Sequence, residues 1–269
     1  MAAHRFPASP GKTPFRAPPP GTAGPRRPGP PGRAAPASPA ASGLRRPSVP
    51  IVQKIAVRYA KEGLSRWHSH HDWIRFWERA VRRAGLPVRL TEGFNPRPRL
   101  VFPHALGVGV ASGDEWIEIE MAGARSPAWY GERLARAVAG VVTVLAVEEL
   151  STVRKGRAVA LCVYLIGGLP ADAGGTGDLA ARMLAAPAYR VERGPDRERT
   201  AVDARRYLAR AEGAGPGAVR LALAHTDQGA GRVDEWARWL GRELGVDGRR
   251  FALRKEQTVF RREPVRGRR

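Results

Sequence analysis

The sequence predicts an α+β protein: two tandem ferredoxin-like (βαββαβ) units behind a disordered, basic Pro/Ala/Arg-rich tail. Three observations predict it. The first fifty residues hold 14 of the chain's 24 prolines, eight Lys or Arg and no acid. Beyond them, apolar residues recur with period 2 in some segments and period 3.6 in others. These segments follow a β-α-β-β-α-β order over 51–151, and a similar order returns over 152–260. The chain thus divides into a tail (1–50), a first α+β unit (51–151), a second (152–260) and a basic C-terminal tail (261–269).

The tail carries almost no large apolar side chains, so it cannot bury enough surface to offset the entropy of ordering. Residues 51–59 (IVQKIAVRY) alternate like a half-buried strand. Ser69-His70-His71-Asp72 has the S-x-x-D form of a helix start, with Ser69 as cap and Asp72 in the first turn. Trp73, Ile74, Trp77, Ala80, Val81 and Ala84 then mark a buried helical face over 70–84. Pro87 ends the helix, and a short strand near 87–91 leads to a loop at Phe94–Pro98. Leu100-Val101-Phe102 and Glu115–Met121 read as strands, 127–139 as a helix and 141–149 as a strand.

In the second unit, 157–166 reads as a strand, 176–186 as a helix and 189–193 as a strand. Helix over 203–212, strand over 218–224, helix over 233–244 and strand over 250–256 complete it. The Gly-rich stretches 167–177 and 213–217 lack the spacing and context of phosphate-binding loops. Trp67, Trp73 and Trp77 are expected to line one core, and Trp236 and Trp239 to anchor the other.

Composition bounds the function. The net charge is +21, of which the tail supplies +8, so the rest of the chain keeps +13. Such a surplus favours nucleic acid or another polyanion as partner, although GC-rich coding also produces Arg-rich chains. Cys162 is the only cysteine, which excludes an internal disulfide, a zinc ribbon and an iron–sulfur cluster held by this chain. It lies in an apolar run and reads as a small buried hydrophobe. No apolar run reaches the roughly 18 residues of a membrane span, and the N-terminus lacks the apolar core of a secretory signal. A cytoplasmic location without membrane contact is expected.

Two groups of residues carry candidate chemistry. Arg75, Arg79, Arg82 and Arg83 fall on the helix face opposite the core, with Glu78 placed to pair with Arg82 at i,i+4. The loop that follows, Gly93-Phe94-Asn95-Pro96-Arg97-Pro98-Arg99, offers an aromatic to stack on a base and two arginines for phosphate. The bland reading makes Phe94 a core plug and the arginines solvated. His70 and Asp72 are candidates for general acid–base catalysis. His68, His70 and His71 with Asp72 contain metal-ligating types, but neighbours at a helix start cannot all point one way, so no metal site is assigned.

The same residues carry a resemblance. Ser69-His70, Asp72, Arg75, Glu78-Arg79-Ala80, Arg82-Arg83-Ala84, Pro87, Gly93-Phe94-Asn95-Pro96 and Pro98 resemble the signature of the radical-SAM-linked protein family. So do Leu106-Gly107-Val108-Gly109, Gly113-Asp114-Glu115, Val147-Glu148-Glu149-Leu150, Val202-Asp203-Ala204-Arg205, Leu253-Arg254-Lys255-Glu256 and Thr258-Val259-Phe260. The similarity spans about 51–263. Arg97 stands where many relatives carry histidine.

That family is a bacterial domain of unknown function, encoded beside or fused to a radical SAM protein. The resemblance implies such a partner, with the iron–sulfur cluster and S-adenosylmethionine on the partner and no cofactor on this chain. The resulting expectation is a non-catalytic accessory or substrate-binding module that binds RNA or a ribonucleoprotein. An RNA-processing or RNA-modifying enzyme using His70 and Asp72, and a module binding an acidic protein, are the alternatives.

Overall fold

A computed structural model describes residues 50–152, 156–195 and 198–261. The expectations for residues 1–49 and for most of 261–269 lie outside the described residues. The described residues fall in one compact unit.

The first half contains β1 (Gln53–Lys61), α1 (His70–Arg83), β2 (Leu100–Val101), β3 (Ala111–Met121), α2 (Pro127–Val138) and β4 (Thr143–Leu150). β1 pairs antiparallel with both β3 and β4, and β2 pairs antiparallel with β3, giving the order β4-β1-β3-β2. Ile55, Val57 and Tyr59 of β1 alternate onto one face and meet Trp73, Trp77 and Val81 of α1 and Leu134 and Val138 of α2. The helix starts where the sequence places it: Ser69 Oγ accepts from the Asp72 amide, satisfying a donor that the first turn leaves free. The stretch 87–91 is not a strand. It makes only single bridges, Val88 to Met121 and Leu90 to Pro98, because Pro87 lacks an amide and the chain turns back within ten residues.

The second half contains β5 (Val159–Gly167), α3 (Thr176–Ala185), β6 (Arg190–Arg193), β7 (Thr200–Asp203), β8 (Leu208–Gly213), β9 (Ala218–Thr226), β10 (Gly229–Ala230), α4 (Val233–Glu243) and β11 (Ala252–Phe260). Its antiparallel order is β11-β5-β9-β8, with β10 also on β9, while β6 and β7 form a separate hairpin.

One expectation is corrected here. Residues 203–212 are a single 3-10 turn (Ala204–Tyr207) followed by strand β8, not a helix. The composition of this stretch favours helix, but two tertiary demands win. Asp203 Oδ1 accepts from the amides of both Tyr189 and Arg205, and Leu208 and Ala211 are buried against the sheet.

β11 joins the halves. It pairs with β5 along its length and meets β3 in parallel at Arg254–Ala111 and Lys255–Ser112. Thr258 fastens the junction, its amide donating to Asp114 Oδ2 and its hydroxyl to the Asp114 carbonyl. Among the described residues the result is a mixed α/β arrangement with one large, mostly antiparallel sheet, four helices and two apolar cores. The second core centres on Trp236, Leu240, Leu221 and Ile166, with Trp239 packed against it. Trp67 departs from expectation. It sits 57% exposed on a 3-10 turn, its ring lying over Gly109 with the Arg66 guanidinium beside it.

Candidate functional site

The predicted basic surface assembles from α1 and the loop closed by the β-bridge Leu90–Pro98. Arg75, Arg79, Arg82 and Arg83 are all exposed on α1. Arg82 donates from Nη2 to the Pro96 carbonyl at 3.1 Å, so the helix and the loop share one surface. Thr91 fixes the loop neck: its amide donates to the Arg97 carbonyl, and its hydroxyl accepts from the Arg97 amide. Phe94 is fully exposed at the tip, and Asn95 and Arg97 are exposed beside it. Phe94 therefore does not plug the core. Arg99 differs from the rest. It is half-buried, and its backbone pairs with Arg89 and Glu120, making it part of the frame that carries the loop.

His70 and Asp72 do not form a pair. Asp72 is exposed and takes the Ser69 hydroxyl at 2.6 Å, and that hydrogen bond, more than the neighbouring Arg75 charge, holds its carboxyl below the usual range. His70 turns the other way, edge-on to Phe102. Partial burial, then the charges of His71 and Lys61, lower its pKa. His68 caps locally through Ser65. The metal reading of the 68–72 cluster gains no ligand set.

A different set converges at the seam between the two cores. The segment after β2 crosses from the first half, and Leu106 and Val110 pack into the second core. This crossing carries His104. Its Nε2 meets the Tyr164 hydroxyl at 2.9 Å, and its ring lies edge-on to His225 with centroids 4.7 Å apart. Cys162 and Tyr164 of β5 share a face with Leu223, cross-strand partner of Cys162. His225, two residues beyond Leu223 on β9, falls on that face too. Ligand atoms of His104, Cys162 and His225 lie within 4.8 Å of one another, the only such set of three or more metal-ligating side chains among the described residues.

A buried ion pair lies beside this set, whose histidines are themselves partly exposed. Lys255 of β11 pairs with Glu115 of β3 at 2.7 Å, with side chains 1% and 4% exposed. Burial, then the Lys255 charge, holds both imidazoles below their ordinary pKa, His104 most strongly. Burial pushes the Cys162 thiol up to about 11. The two histidines are thus neutral bases at physiological pH. His225 Nε2 is buried with no hydrogen-bond partner, an arrangement that costs free energy unless something occupies the lone pair or takes the proton.

Sequence reasoning missed this cluster because its members lie about sixty residues apart. One signal was present. In Val219, Leu221, Leu223 and His225 the inward parity of a strand ends in histidine, on a strand adjacent to the one that carries the lone cysteine.

An α/β chain with one continuous sheet and two candidate surfaces is the class these observations define. Residues 54–233 match the family described as an uncharacterized protein conserved in bacteria, DUF2344. The chain belongs to that family. No curated protein matches it. Among solved structures, an unknown protein from Galdieria sulphuraria is similar over 76% of this chain and 98% of its own, at 15% identity and a TM-score of 0.24. That similarity is too weak to carry either fold or function. No helix among the described residues is long and apolar enough to cross a membrane.

Proposed function

We propose that the chain is a non-catalytic accessory module that holds RNA, or a ribonucleoprotein, for a radical SAM partner. The observation that carries this reading is the shared surface of α1 and the 93–97 loop, where α1 bears four exposed arginines, Arg82 bonds to the Pro96 carbonyl, and Phe94 is fully exposed at the loop tip. Exposed large aromatics are costly to leave in water, and one on the same surface as an arginine row suits base stacking beside phosphate contacts. The partner is inferred from the family resemblance of the 66–110 block, with its cluster and S-adenosylmethionine on the partner's side.

We also read the two halves as tandem ferredoxin-like units. Supporting this, strands of the first half are ordered β4-β1-β3-β2 and those of the second β11-β5-β9-β8, all antiparallel, which is one arrangement used twice. The β6–β7 hairpin is then an insertion into the second unit. The acid–base alternative draws no support from geometry, since Asp72 is committed to Ser69.

The test is a pulldown of the whole chain from native lysate, with bound RNA sequenced and bound proteins identified in one eluate. The control chain carries Arg75, Arg79, Arg82 and Arg97 changed together to Glu. A defined RNA, or a radical SAM protein, lost from the control supports the proposal. Acidic proteins alone, with no RNA, would replace it with the protein-interaction reading. Retention of everything by the control would overturn both.

A further inference from the structure

We propose that His104, Cys162 and His225 form a binding site for one transition-metal ion of the zinc class, coordinated by two imidazoles and a thiolate. The inference is independent of RNA binding, and it departs from the expectation that the chain binds no cofactor of its own.

Four observations carry it. First, three borderline-soft donors come from three separate segments: the crossing loop, β5 and β9. Their ligand atoms already lie within 4.8 Å of one another. In a tetrahedral site with bonds of about 2.0–2.3 Å the donors lie about 3.3–3.8 Å apart, so side-chain rotations on the order of 1 Å close the set. Second, His225 Nε2 is buried and unpartnered, which a metal bond would satisfy. Third, the Tyr164 hydroxyl holds Nε2 of His104 at 2.9 Å. An outer hydrogen bond of this kind orients a ligating imidazole and leaves its other nitrogen for the metal. Fourth, Lys255 beside the set is paired with Glu115 at 2.7 Å, which offsets part of its repulsion of an incoming ion.

Binding is balanced simply. The Cys162 S–H loses its proton to solvent as the metal–sulfur bond forms, and both imidazoles enter neutral. Three protein ligands leave a fourth position for water or a further donor, the arrangement of a catalytic rather than a structural zinc site. Location supports an occupant as well. The loop with His104 is the only ligand-bearing segment of the first half, so the ion would bridge the two halves at their seam.

The experiment uses the full-length chain without a histidine tag. Metal content of the purified protein is measured, and the apoprotein is titrated with Co2+ while absorption is followed. The expected result is one metal per chain, with a thiolate-to-cobalt charge-transfer band and the intense visible bands of a four-coordinate site. Cys162→Ser should remove the charge-transfer band. His225→Ala should abolish stoichiometric binding. Tyr164→Phe, which leaves all three ligands in place, should weaken affinity by about 10–100-fold. Folding of each variant is checked by circular dichroism. A wild-type chain that holds no metal and gives no thiolate band, or a Cys162→Ser chain that keeps the band, overturns the proposal.

Discussion

At the scale of single residues, the most informative side chain is Phe94. A phenyl ring in water with no apolar neighbour contributes nothing to folding, so its removal should leave stability unchanged. If the ring stacks on bases, Phe94→Ala should weaken binding of single-stranded RNA by about 1–3 kcal/mol, roughly 5–150-fold in Kd. Fluorescence anisotropy with a labelled oligonucleotide measures this, and an unchanged Kd would remove Phe94 from the interface. Ser69 offers a second residue-level prediction. Its hydroxyl donates to Asp72, and its oxygen accepts from the Asp72 amide.

The Asp72 carboxyl titrates below the ordinary range in the folded chain, so its contribution is present above the unfolded pKa. That contribution fades as pH falls through the folded value. Ser69→Ala should therefore raise the Asp72 pKa toward the ordinary range in an NMR titration. It should also cost about 1 kcal/mol of stability through the lost cap.

At the scale of elements, periodicity legible in the sequence located the four described helices within a residue or two, and the cap of α1 was legible too. Ser69 is the clearest case, because a cap is a local interaction between residues three apart. What was not legible is what depends on distant partners. Residues 208–213 are strand because β9 supplies an edge, and nothing within Ala204–Glu212 encodes that edge. Trp67 looks like core by type but belongs to a 3-10 turn whose outer side it occupies. The exposure of Arg75, Arg79, Arg82 and Arg83 was legible because exposure on a helix follows from spacing, whereas Arg99, counted with them from the sequence, belongs to the frame. The His104–Cys162–His225 cluster was not, since it exists only once β5, β9 and the crossing loop have met.

Packing of α4 gives a further test. A Cβ at Gly248 would lie 2.2 Å from the Ala237 carbonyl oxygen, and one at Gly241 2.5 Å from the Gly248 amide. Both obstacles are backbone and cannot swing aside. Gly248→Ala should force α4 off the 3-10 turn behind it and lower the midpoint of urea unfolding, whereas Gly177→Ala, which meets nothing within 4 Å, should not.

At the scale of the whole molecule, charge and the seam dominate. If the arginine face tracks phosphates, the logarithm of RNA affinity should fall linearly with the logarithm of salt. The slope would be about −0.7 per phosphate contacted on a single strand. Changing Arg75, Arg79, Arg82 and Arg97 to Gln should then flatten that slope by up to about three units, measured from 50 to 300 mM or so of salt. The seam rests on a buried ion pair. Lys255→Met strands Glu115 without a counter-charge and should cost about 3–5 kcal/mol, while Lys255→Met with Glu115→Leu should recover most of that. Urea titrations of the three chains decide it, and equal losses in single and double variants would mean that the pair is not coupled.

The position of β11 has one more consequence. The last of the described strands, Ala252–Phe260, is inserted in the middle of the sheet, between β5 and β3. During synthesis, β1 to β4 leave the ribosome as a complete four-stranded set with its own core. β5, β9 and β8 must wait with an open edge until residues 252–260 have emerged. Lys255 and Thr258 arrive with that final strand, so a nascent chain stalled before residue 252 would expose the β5 edge and lack both fastenings to the first half. Emergence of Ala252–Phe260, rather than any earlier event, is the moment at which the two halves become one sheet.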